Sequence, residues 1–486
     1  MLEQNLQQLA QSDCYPFHMP GHKRQPFLDF NPYAWDITEI DGFDNLHHAQ
    51  GLLRREQGRA AELYGAKHSF FLVNGSTCGI LAAVSAAVRR GERVLVARNS
   101  HKAVYHALEL RQLVPVYVYP RVTEQGLQGQ IDAEDVRRAL GEYPDIRAVV
   151  ITSPTYDGVV SDVAVIAELA HSRGIPLIVD EAHGAHFGFH EAFPENATRL
   201  GADAVVMSVH KTLPAFTQTA LLHLCSQRLA AEEVARFLQS YETSSPSYVL
   251  MAGISRCVHM LAEPSARELF DAYARRLAAF REQTRRLAHL RVLGAEDFAP
   301  EEAFAFDPGK LILYTGYSGM SGKWLAARLL ERYGLQMEMA AATYALAMTS
   351  VMDRPEGFAR LAAALEELDA AAGEKESGAQ AVKGTDLPAA AWRNEGGMRA
   401  AEVYRKQERC MEISAAVEAE RESVPFAEAE NRISADYVYL YPPGIPILVP
   451  GERLGGETLA ELSECRRMGL QVEGIAYNAI QVVKSR

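Results

Sequence analysis

The sequence predicts an α/β fold, in which a mostly parallel β-sheet is flanked by helices and is followed by smaller α+β domains. Between about residue 60 and residue 225, short apolar segments alternate with alanine-rich stretches of helical periodicity. This alternation is the pattern of a parallel sheet wrapped by helices. The chain has 486 residues, of which 48% are hydrophobic. That length is typical of two or three domains, and the hydrophobic content suffices for a large core.

Six short apolar segments are the predicted strands of this sheet. They span residues 70–73, 94–97, 116–119, 148–152, 177–180 and 204–208. An arginine-rich region of helical character follows over 230–290. Beyond it, a small α+β unit is predicted. Its strands are 310–314, 335–340 and 345–349, and its helix is 322–333.

These elements divide the chain into five predicted parts. They are an N-terminal arm over 1–40, a large cofactor-binding domain over 41–300, a small α+β domain over 301–370, a linker or mobile loop over 371–391, and a C-terminal domain over 392–486. The linker is predicted from its composition, which is rich in alanine, glycine, glutamate, lysine and serine, although a short solvated helix would fit too. The proline-punctuated segment 441–450 is predicted to cross between the sheet and the functional site.

Composition disfavours several classes of function. The formal net charge is −13, which argues against a nucleic-acid partner. No apolar stretch is long enough to span a membrane, and the first residues lack a signal sequence, so a cytoplasmic protein with no membrane partner is expected. The six cysteines are scattered singly, without metal-binding spacing. This spacing predicts reduced thiols and no structural metal.

The most informative residues are Asp180, which ends an apolar segment, and Lys211, which lies in the sequence SVHKTLP over 208–214. A carboxylate at a strand end and a lysine on a short loop are what covalently bound pyridoxal phosphate requires. The carboxylate keeps the ring nitrogen of the cofactor protonated, and the lysine amine forms the covalent bond. A lone lysine is more often a surface residue, so the hypothesis depends on the residues that accompany it.

Those companions lie upstream. The residues Gly75, Ser76 and Thr77 connect an apolar segment to an alanine-rich helix, so backbone amides and hydroxyls gather at a helix N-terminus that favours an anion. An ordinary helix cap would use the same residue types. His101 follows the next apolar segment, at the strand end where ligands collect in open α/β sheets. The order of anion site, Asp180 and Lys211 favours pyridoxal phosphate as the cofactor.

With these residues, the sequence resembles a known family, the Orn/Lys/Arg decarboxylases, which are bacterial decarboxylases of basic amino acids. The resemblance is carried by SVHKTLPAFTQ over 208–218, FHMPGHKR over 17–24, DGFDNLHH over 41–48 and YPPGIPILVPGE over 441–452. These stretches cover most of the chain. The resemblance implies the pyridoxal-phosphate-dependent, aspartate-aminotransferase-like (type I) fold.

The resemblance also implies roles for individual residues. Gly75, Ser76 and Thr77 bind the phosphate, His101 stacks on the ring, Asp180 pairs with the ring nitrogen and Lys211 binds covalently. Ser208 and His210 flank the phosphate, and Ser244 lies in a segment that reaches the partner subunit's phosphate, unless 242–248 is an ordinary polar loop. His183 departs from the larger family members, which have an aromatic residue there. In other enzymes of this fold, such a histidine reaches the phenolic oxygen of the cofactor.

The resemblance implies decarboxylation of arginine, lysine or ornithine to the corresponding amine, in polyamine biosynthesis. It also implies that the active form is a homodimer or a larger assembly of dimers. Lys211 or His210 would donate a proton to the product. A cationic substrate needs a carboxylate, which Glu452 or an acid of the partner subunit would supply, although Glu452 also fits a surface turn. His18 and His22 resemble residues at the entrance of the site, although a turn around Pro20 explains that segment without them.

Two other functions compete with this prediction. The sequence DEAHG over 180–184 also resembles the α-oxoamine synthases, and an aminotransferase would share the fold. The second competitor is a non-catalytic homologue that acts as a binding or regulatory subunit. The presence of Lys211, Asp180 and His101 together argues against a chain that has lost catalysis.

Overall fold

The computed structural model describes residues 1–376, 404–441 and 444–484. The helices are α1 (Leu2–Gln11), α2 (Pro32–Trp35), α3 (Leu52–Tyr64), α4 (Gly75–Ala87), α5 (Lys102–Arg111), α6 (Ala133–Glu142), α7 (Val163–Ser172), α8 (Val209–Thr212), α9 (Ala231–Tyr241), α10 (Tyr248–Ala262), α11 (Ser265–Thr284), α12 (Gly322–Tyr333), α13 (Pro355–Glu376), α14 (Ile413–Glu418) and α15 (Gly456–Arg467).

The first group of strands lies within residues 15–348. They are β1 (Tyr15–Phe17), β2 (His68–Leu72), β3 (Arg93–Ala97), β4 (Val114–Val118), β5 (Ile146–Thr152), β6 (Val159–Val160), β7 (Leu177–Asp180), β8 (Ala204–Met207), β9 (Ala220–Leu224), β10 (Arg291–Leu293), β11 (Ala305–Phe306), β12 (Lys310–Tyr314), β13 (Leu335–Met337), β14 (Met339–Ala340) and β15 (Tyr344–Met348). The C-terminal strands are β16 (Arg421–Pro425), β17 (Val438–Leu440), β18 (Pro446–Leu448), β19 (Val472–Glu473), β20 (Ile475–Ala476) and β21 (Ala479–Val483).

A seven-stranded sheet with the order β2-β9-β8-β7-β5-β3-β4 forms the centre of the molecule. Strands β8, β7, β5, β3 and β4 run parallel, whereas β9 is antiparallel to both of its neighbours. The prediction of an α/β fold with a mostly parallel sheet is confirmed. The predicted set of six strands missed β9, which returns from β8 through the short helix α8.

The parallel strands bring their carboxyl ends to one edge of the sheet, where ligands bind in folds of this type. Strands β5 and β7 end there at Thr152 and Asp180. Helix α4 packs closely on the sheet at Gly79, where an added Cβ would lie 2.6 Å from Cδ1 of Leu72. This contact fixes the N-terminus of α4 at the same edge.

A second sheet has four strands in the order β10-β12-β15-β14. Its first strand, β10, lies within the range 41–300 that was predicted for the large domain. The single predicted strand over 335–340 is wrong, because β13 and β14 belong to different sheets. Strand β13 pairs in parallel with β1 of the N-terminal arm, whereas β14 pairs antiparallel with β15. Glu338 lies at the break between them and faces a cavity. One regular strand over 335–340 could not pair with both β1 and β15 and also place the side chain of Glu338 at the cavity.

The C-terminal residues form two three-stranded sheets, β16-β21-β20 and β18-β17-β19. They enclose their own apolar core, to which Val438, Ile447, Leu462 and Ile480 belong. Residues 371–376 of the predicted linker are the end of α13, and the remainder of it, like Pro442 and Pro443 of the predicted crossing segment, lies outside the described residues. Within the described ranges, no helix is both long and apolar enough to cross a bilayer.

Candidate active site

A cavity of about 360 Å³ opens at the carboxyl edge of the central sheet. Its walls come from the loops and helices at this edge, from residues 338–344 around β14 and β15, and from the C-terminal sheets. The sequence-predicted residues that line it are Gly75, Ser76, Thr77, His101, Asp180, His183, Ser208, His210 and Lys211. The structure therefore brings nine of the predicted site residues into one place.

Lys211 lies in the one-turn helix α8, directly after β8. Its Nζ is 3.0 Å from Nε2 of His183. Burial lowers the pKa of Lys211, whereas the carboxylates of Asp180 and Glu338 raise it in part. An amine whose charge is disfavoured is a better nucleophile at neutral pH, and this property is what covalent binding of an aldehyde requires.

Asp180 is the last residue of β7 and is buried. Its Oδ1 accepts a hydrogen bond from the backbone N–H of Ala182 at 3.2 Å. Burial raises the pKa of Asp180, while the charge of Lys211 and the bond from Ala182 lower it. A buried carboxylate of this kind is stabilised by a cationic ligand, such as a protonated pyridine ring.

The predicted anion site lies at the first turn of α4, a helix of 13 residues. Gly75 begins this helix with a φ of 73°, a left-handed conformation that glycine adopts readily. The hydroxyl of Ser76 lies 2.5 Å from that of Ser208, so the two hydroxyls point towards one spot beside the helix N-terminus. Thr77 lines the same wall. The N–H of Gly75 donates to the carbonyl oxygen of Gln218 at 2.8 Å, so the hydroxyls and the amide groups after Gly75 are the donors that this helix N-terminus offers to a phosphate.

Two histidines of the cavity are neutral, and each has one nitrogen engaged by the backbone. Nδ1 of His101 accepts a hydrogen bond from the N–H of Ala103 at 3.2 Å. Nδ1 of His210 donates to the carbonyl of Thr219 at 2.8 Å. Burial lowers the pKa of His101 to about 3 and that of His210 to about 4. The Nε2 atom of His210 therefore has a lone pair and accepts hydrogen bonds in the neutral ring.

Four predicted residues do not line the cavity. Nδ1 of His18 lies 2.6 Å from the carbonyl oxygen of Met19, and Nδ1 of His22 accepts from the N–H of Arg24 at 3.0 Å. Met19, between these histidines, does reach the cavity wall. Ser244 is exposed in the loop between α9 and α10. It is therefore not a contact of the site in its own chain.

Glu452, the fourth, is buried in an ion pair. One of its oxygens lies 3.2 Å from Nη2 of Arg98, and the two side chains are 2% and 1% exposed. Arg98 follows β3 and also donates to the carbonyl oxygens of Pro446 and Ile447. Glu452 therefore joins the C-terminal sheets to the central sheet. The expected role of Glu452 as the carboxylate that meets the substrate is not supported by this position.

The N-terminal arm packs on the loop that carries Lys211. The N–H of Gly21 donates to the carbonyl oxygen of His210 at 2.7 Å. A Cβ at Gly21 would lie 2.5 Å from the carbonyl oxygen of Leu213. The close approach explains why glycine occupies this position, which the sequence attributed to a turn.

Four further residues at this site were not identified from sequence. Tyr156, Asp157 and Glu338 line the cavity, and Lys310 lies behind His183 with its Nζ 2.8 Å from Nδ1 of that ring. The hydroxyl of Tyr156 donates to Glu338 at 2.5 Å. A signal was available for two of them, because Glu338 and Lys310 are charged residues in largely apolar predicted strands.

The comparison with protein families identifies the chain. The model of the Orn/Lys/Arg decarboxylase major domain matches residues 2–327, and that of the C-terminal domain matches residues 400–474. The chain belongs to the Orn/Lys/Arg decarboxylase family. The resemblance given by the sequence motifs is confirmed, and the synthase, aminotransferase and non-catalytic alternatives are not favoured.

Relatives and solved structures agree with this family. An arginine decarboxylase of Halalkalibacterium halodurans is 32% identical over 489 residues, which cover 98% of this chain and 96% of that protein. The uncharacterized protein YaaO of Bacillus subtilis is 34% identical over 96% of this chain and 94% of its own length. The structure of lysine decarboxylase A from Pseudomonas aeruginosa superimposes with a TM-score of 0.78 at 23% identity, covering 99% of this chain and 79% of that chain. At that identity, the likeness shows the fold alone.

Pyridoxal phosphate is the cofactor that the family supports, and the residues of the cavity fit it. Lys211 has an amine whose charge is disfavoured, Asp180 is a buried carboxylate that a pyridinium ring would stabilise, and the start of α4 offers donors for a phosphate. When bound, this cofactor accepts the electron pair that remains after a carboxylate leaves as carbon dioxide. Among the described residues, no group of three or more histidine, cysteine or acidic side chains is arranged to hold a metal ion.

Proposed function

We propose that this chain decarboxylates a basic amino acid with pyridoxal phosphate, and that arginine is the substrate. The observation that carries the proposal is the meeting of Lys211, Asp180, the first turn of α4 and two further acidic side chains in one cavity. Several relatives at 30–32% identity are named arginine decarboxylases, and these names support arginine ahead of lysine or ornithine.

The cationic end of the substrate is assigned to Asp157 and Glu338. Both lie on the cavity wall, whereas Glu452 does not. Oε2 of Glu338 accepts the N–H of Met19 at 2.8 Å, and its Oε1 accepts the hydroxyl of Tyr156, so the carboxylate is held in one orientation. A guanidinium group donates several hydrogen bonds in one plane and pairs with such fixed carboxylates.

Asp157 is the more deeply buried of the two acids. Its Oδ1 accepts the hydroxyl of Tyr344 at 2.8 Å. Burial raises the pKa of Asp157 to about 6, against the lowering effects of the Tyr344 hydrogen bond and the Lys310 charge. A substrate with a permanent positive charge would stabilise its ionised form. Binding of arginine is therefore expected to weaken as pH falls below about 6 and this acid becomes neutral.

The roles of the remaining residues follow from their contacts. Lys211 would hold the cofactor covalently through its amine. Asp180 would hold a positive charge at the ring nitrogen, and His101 would restrict the ring. The neutral His210 uses its N–H on the carbonyl of Thr219 and has only a lone pair left to offer. Lys211 is therefore assigned as the donor of the proton that replaces the carboxylate, in the ammonium form that it would take once the substrate amine has replaced it.

The assembly is assigned as a homodimer or a multiple of it in the cytoplasm. Ser244 is exposed in its own chain, so it is free to meet the phosphate of a second copy. All six cysteines are unpaired, which suits a reducing compartment. Light scattering of the purified protein measures the assembly, and a strict monomer would contradict it.

The experiment that tests the reaction is product analysis by mass spectrometry. Purified protein with pyridoxal phosphate is incubated separately with arginine, lysine and ornithine, and Lys211→Ala is the control. Agmatine from arginine, absent in the control, is the expected result. Cadaverine or putrescine instead would replace the substrate assignment and keep the reaction. No product from any of the three, in a protein that binds the cofactor, would contradict the reaction itself.

Two matched variants test the acid assignment. Glu338→Gln and Asp157→Asn remove charge from the cavity, and each is expected to raise KM for arginine by about tenfold or more, because a charged hydrogen bond is worth about 1.5–3 kcal/mol. Glu408→Gln removes an exposed carboxylate that pairs with Arg453 in the C-terminal part and should leave KM unchanged.

A further inference from the structure

A second buried lysine lies behind the site, on the far side of His183. Lys310 begins β12, and its side chain is buried. Its Nζ is 2.8 Å from Nδ1 of His183, and Nε2 of the same ring is 3.0 Å from Nζ of Lys211. The imidazole therefore connects two lysine amines, each at hydrogen-bond distance.

The protons in this chain of three groups are constrained. Burial, together with the charges of Lys211 and Lys310 and of His101 and His210, lowers the pKa of His183, so its ring is neutral. A neutral imidazole has one N–H and one lone pair. One lysine therefore donates to the lone pair, and the other accepts from the N–H. An accepting lysine is uncharged, because an ammonium group has donors and no lone pair.

The surrounding carboxylates decide which lysine is charged. Burial, and to a smaller extent the charge of Lys211, lower the pKa of Lys310 to about 8, against the opposing charges of Asp307, Glu338 and Asp157. These three acids come from the turn before β12, from the break between β13 and β14, and from the loop after β5. The ring of Tyr156 also lies 5.6 Å from Nζ of Lys310. An ammonium group is thus well accommodated at Lys310.

Lys211 has fewer such partners. Asp180 and Glu338 are the carboxylates that favour its charge, and burial opposes them. With the charge on Lys310, Nδ1 of His183 accepts and Nε2 carries the hydrogen. That N–H points at Nζ of Lys211 and is compatible only with a neutral amine there.

We propose that Lys310 is a positioning residue, which acts through His183 to hold the amine of Lys211 in its uncharged, nucleophilic form. The inference rests on the proposed function, in which Lys211 binds pyridoxal phosphate covalently. In that step the amine nitrogen bonds to the aldehyde carbon, and the aldehyde oxygen leaves as water with two protons. A carbon–nitrogen double bond replaces the carbonyl. A protonated Lys211 has no lone pair with which to begin the step.

The test is the pH dependence of cofactor capture by the protein stripped of its cofactor. The apo-protein is mixed with pyridoxal phosphate, borohydride fixes the bond formed on Lys211, and peptide mass spectrometry counts it over time. In Lys310→Met the midpoint of the capture rate is expected to move to higher pH by about one unit or more, because a neighbouring charge and a hydrogen-bond donor are lost. Near neutral pH, capture becomes about tenfold slower.

Three further variants separate this effect from a loss of packing. Lys310→Arg keeps the charge and the donor, and it should retain the wild-type midpoint. Lys310→Gln removes the charge but stays polar, and it should move the midpoint upwards even if the methionine variant does not fold. Lys23→Met removes another buried lysine, whose Nζ bonds to the carbonyl oxygens of His18 and Met348, and it should leave the midpoint unchanged.

The outcomes distinguish this inference from the proposed function. Wild-type midpoints in the methionine and glutamine variants, with cofactor still trapped on Lys211, would overturn the role of Lys310 and keep the proposed function. An equal upward shift in Lys23→Met would likewise overturn it. If borohydride traps no cofactor on Lys211 of the wild type, the proposed function itself is wrong.

Discussion

Replacing Glu452 with glutamine should loosen the C-terminal sheets from the central sheet. The carboxylate accepts a hydrogen bond from Nη2 of Arg98 at 3.2 Å and another from the N–H of Val449 at 2.9 Å. Both charged side chains are almost fully buried. The substitution keeps the shape of the side chain and leaves the guanidinium group without a counter-charge.

The expected magnitude follows from that burial. Removing one partner of a buried ion pair costs about 3–5 kcal/mol, because the other charge stays buried and unpaired. Arg98 keeps its bonds to the carbonyl oxygens of Pro446 and Ile447, so the lower end of that range applies. A loss of about 3 kcal/mol raises the population of the opened C-terminal part by about a hundredfold.

Hydrogen exchange measures this opening. Amides of residues 404–441 and 444–484 should exchange about a hundredfold faster in Glu452→Gln, whereas amides of the central strands should change little. The matched control is Glu408→Gln, whose partner Arg453 is 37% exposed while Glu408 is 67% exposed. An exposed pair contributes less than about 1 kcal/mol. Equal exchange in the two variants would refute the assignment of Glu452 as an anchor between the central sheet and the C-terminal sheets.

Three other predictions test separate parts of the structure. Asp180→Asn should lower kcat by about a hundredfold or more while the cofactor still binds, because the ring nitrogen loses its counter-charge. Steady-state kinetics with saturating cofactor measure the loss, and an unchanged kcat would contradict the role of Asp180 beside the ring nitrogen. Gly21→Ala should lower the free energy of unfolding by about 1–3 kcal/mol, because the new Cβ lies 2.5 Å from the carbonyl oxygen of Leu213. The control is Gly58→Ala in α3, whose Cβ meets nothing within 4 Å and which should be neutral or stabilising. Urea unfolding measures both variants. Burial lowers the pKa of His223 to about 3, so the unfolded state binds the proton first. The free energy of unfolding should therefore fall as pH drops from about 6.5 towards 3, by up to about 1.4 kcal/mol per pH unit. His223→Gln should lessen this dependence of the unfolding free energy on pH, and an identical dependence would contradict the prediction.

Sequence reasoning predicted the reactive centre better than its surroundings. Lys211 and Asp180 belong to compact motifs whose chemistry is specific, and the strand order then brings their loops to one edge. Glu452 was expected to meet the substrate, but this last residue of a family motif forms an ion pair with Arg98, which is distant in the chain. A contact between residues so far apart in the chain leaves no periodic signal in either segment.

Lys310 and Glu338 show the other kind of failure. Each is a charged residue within a largely apolar predicted strand, which marks it as unusual, but its role depends on what the fold places against it. The bond from Lys310 to His183 joins residues 127 positions apart. The break at Glu338 arises because β13 pairs with the N-terminal arm, and pairing partners of short strands depend on tertiary packing.

The N-terminal arm consists of two stretches that differ in how far they can be altered. Helix α1 has no buried residue, so shortening or tagging the chain within its first ten or so residues should be tolerated. From β1 onwards the situation reverses, because β1 is a strand of a shared sheet and Gly21 supports the loop of the reactive lysine. Truncation past that point would remove the residues that pack on the loop of Lys211, although they lie nearly two hundred residues before that lysine in the chain.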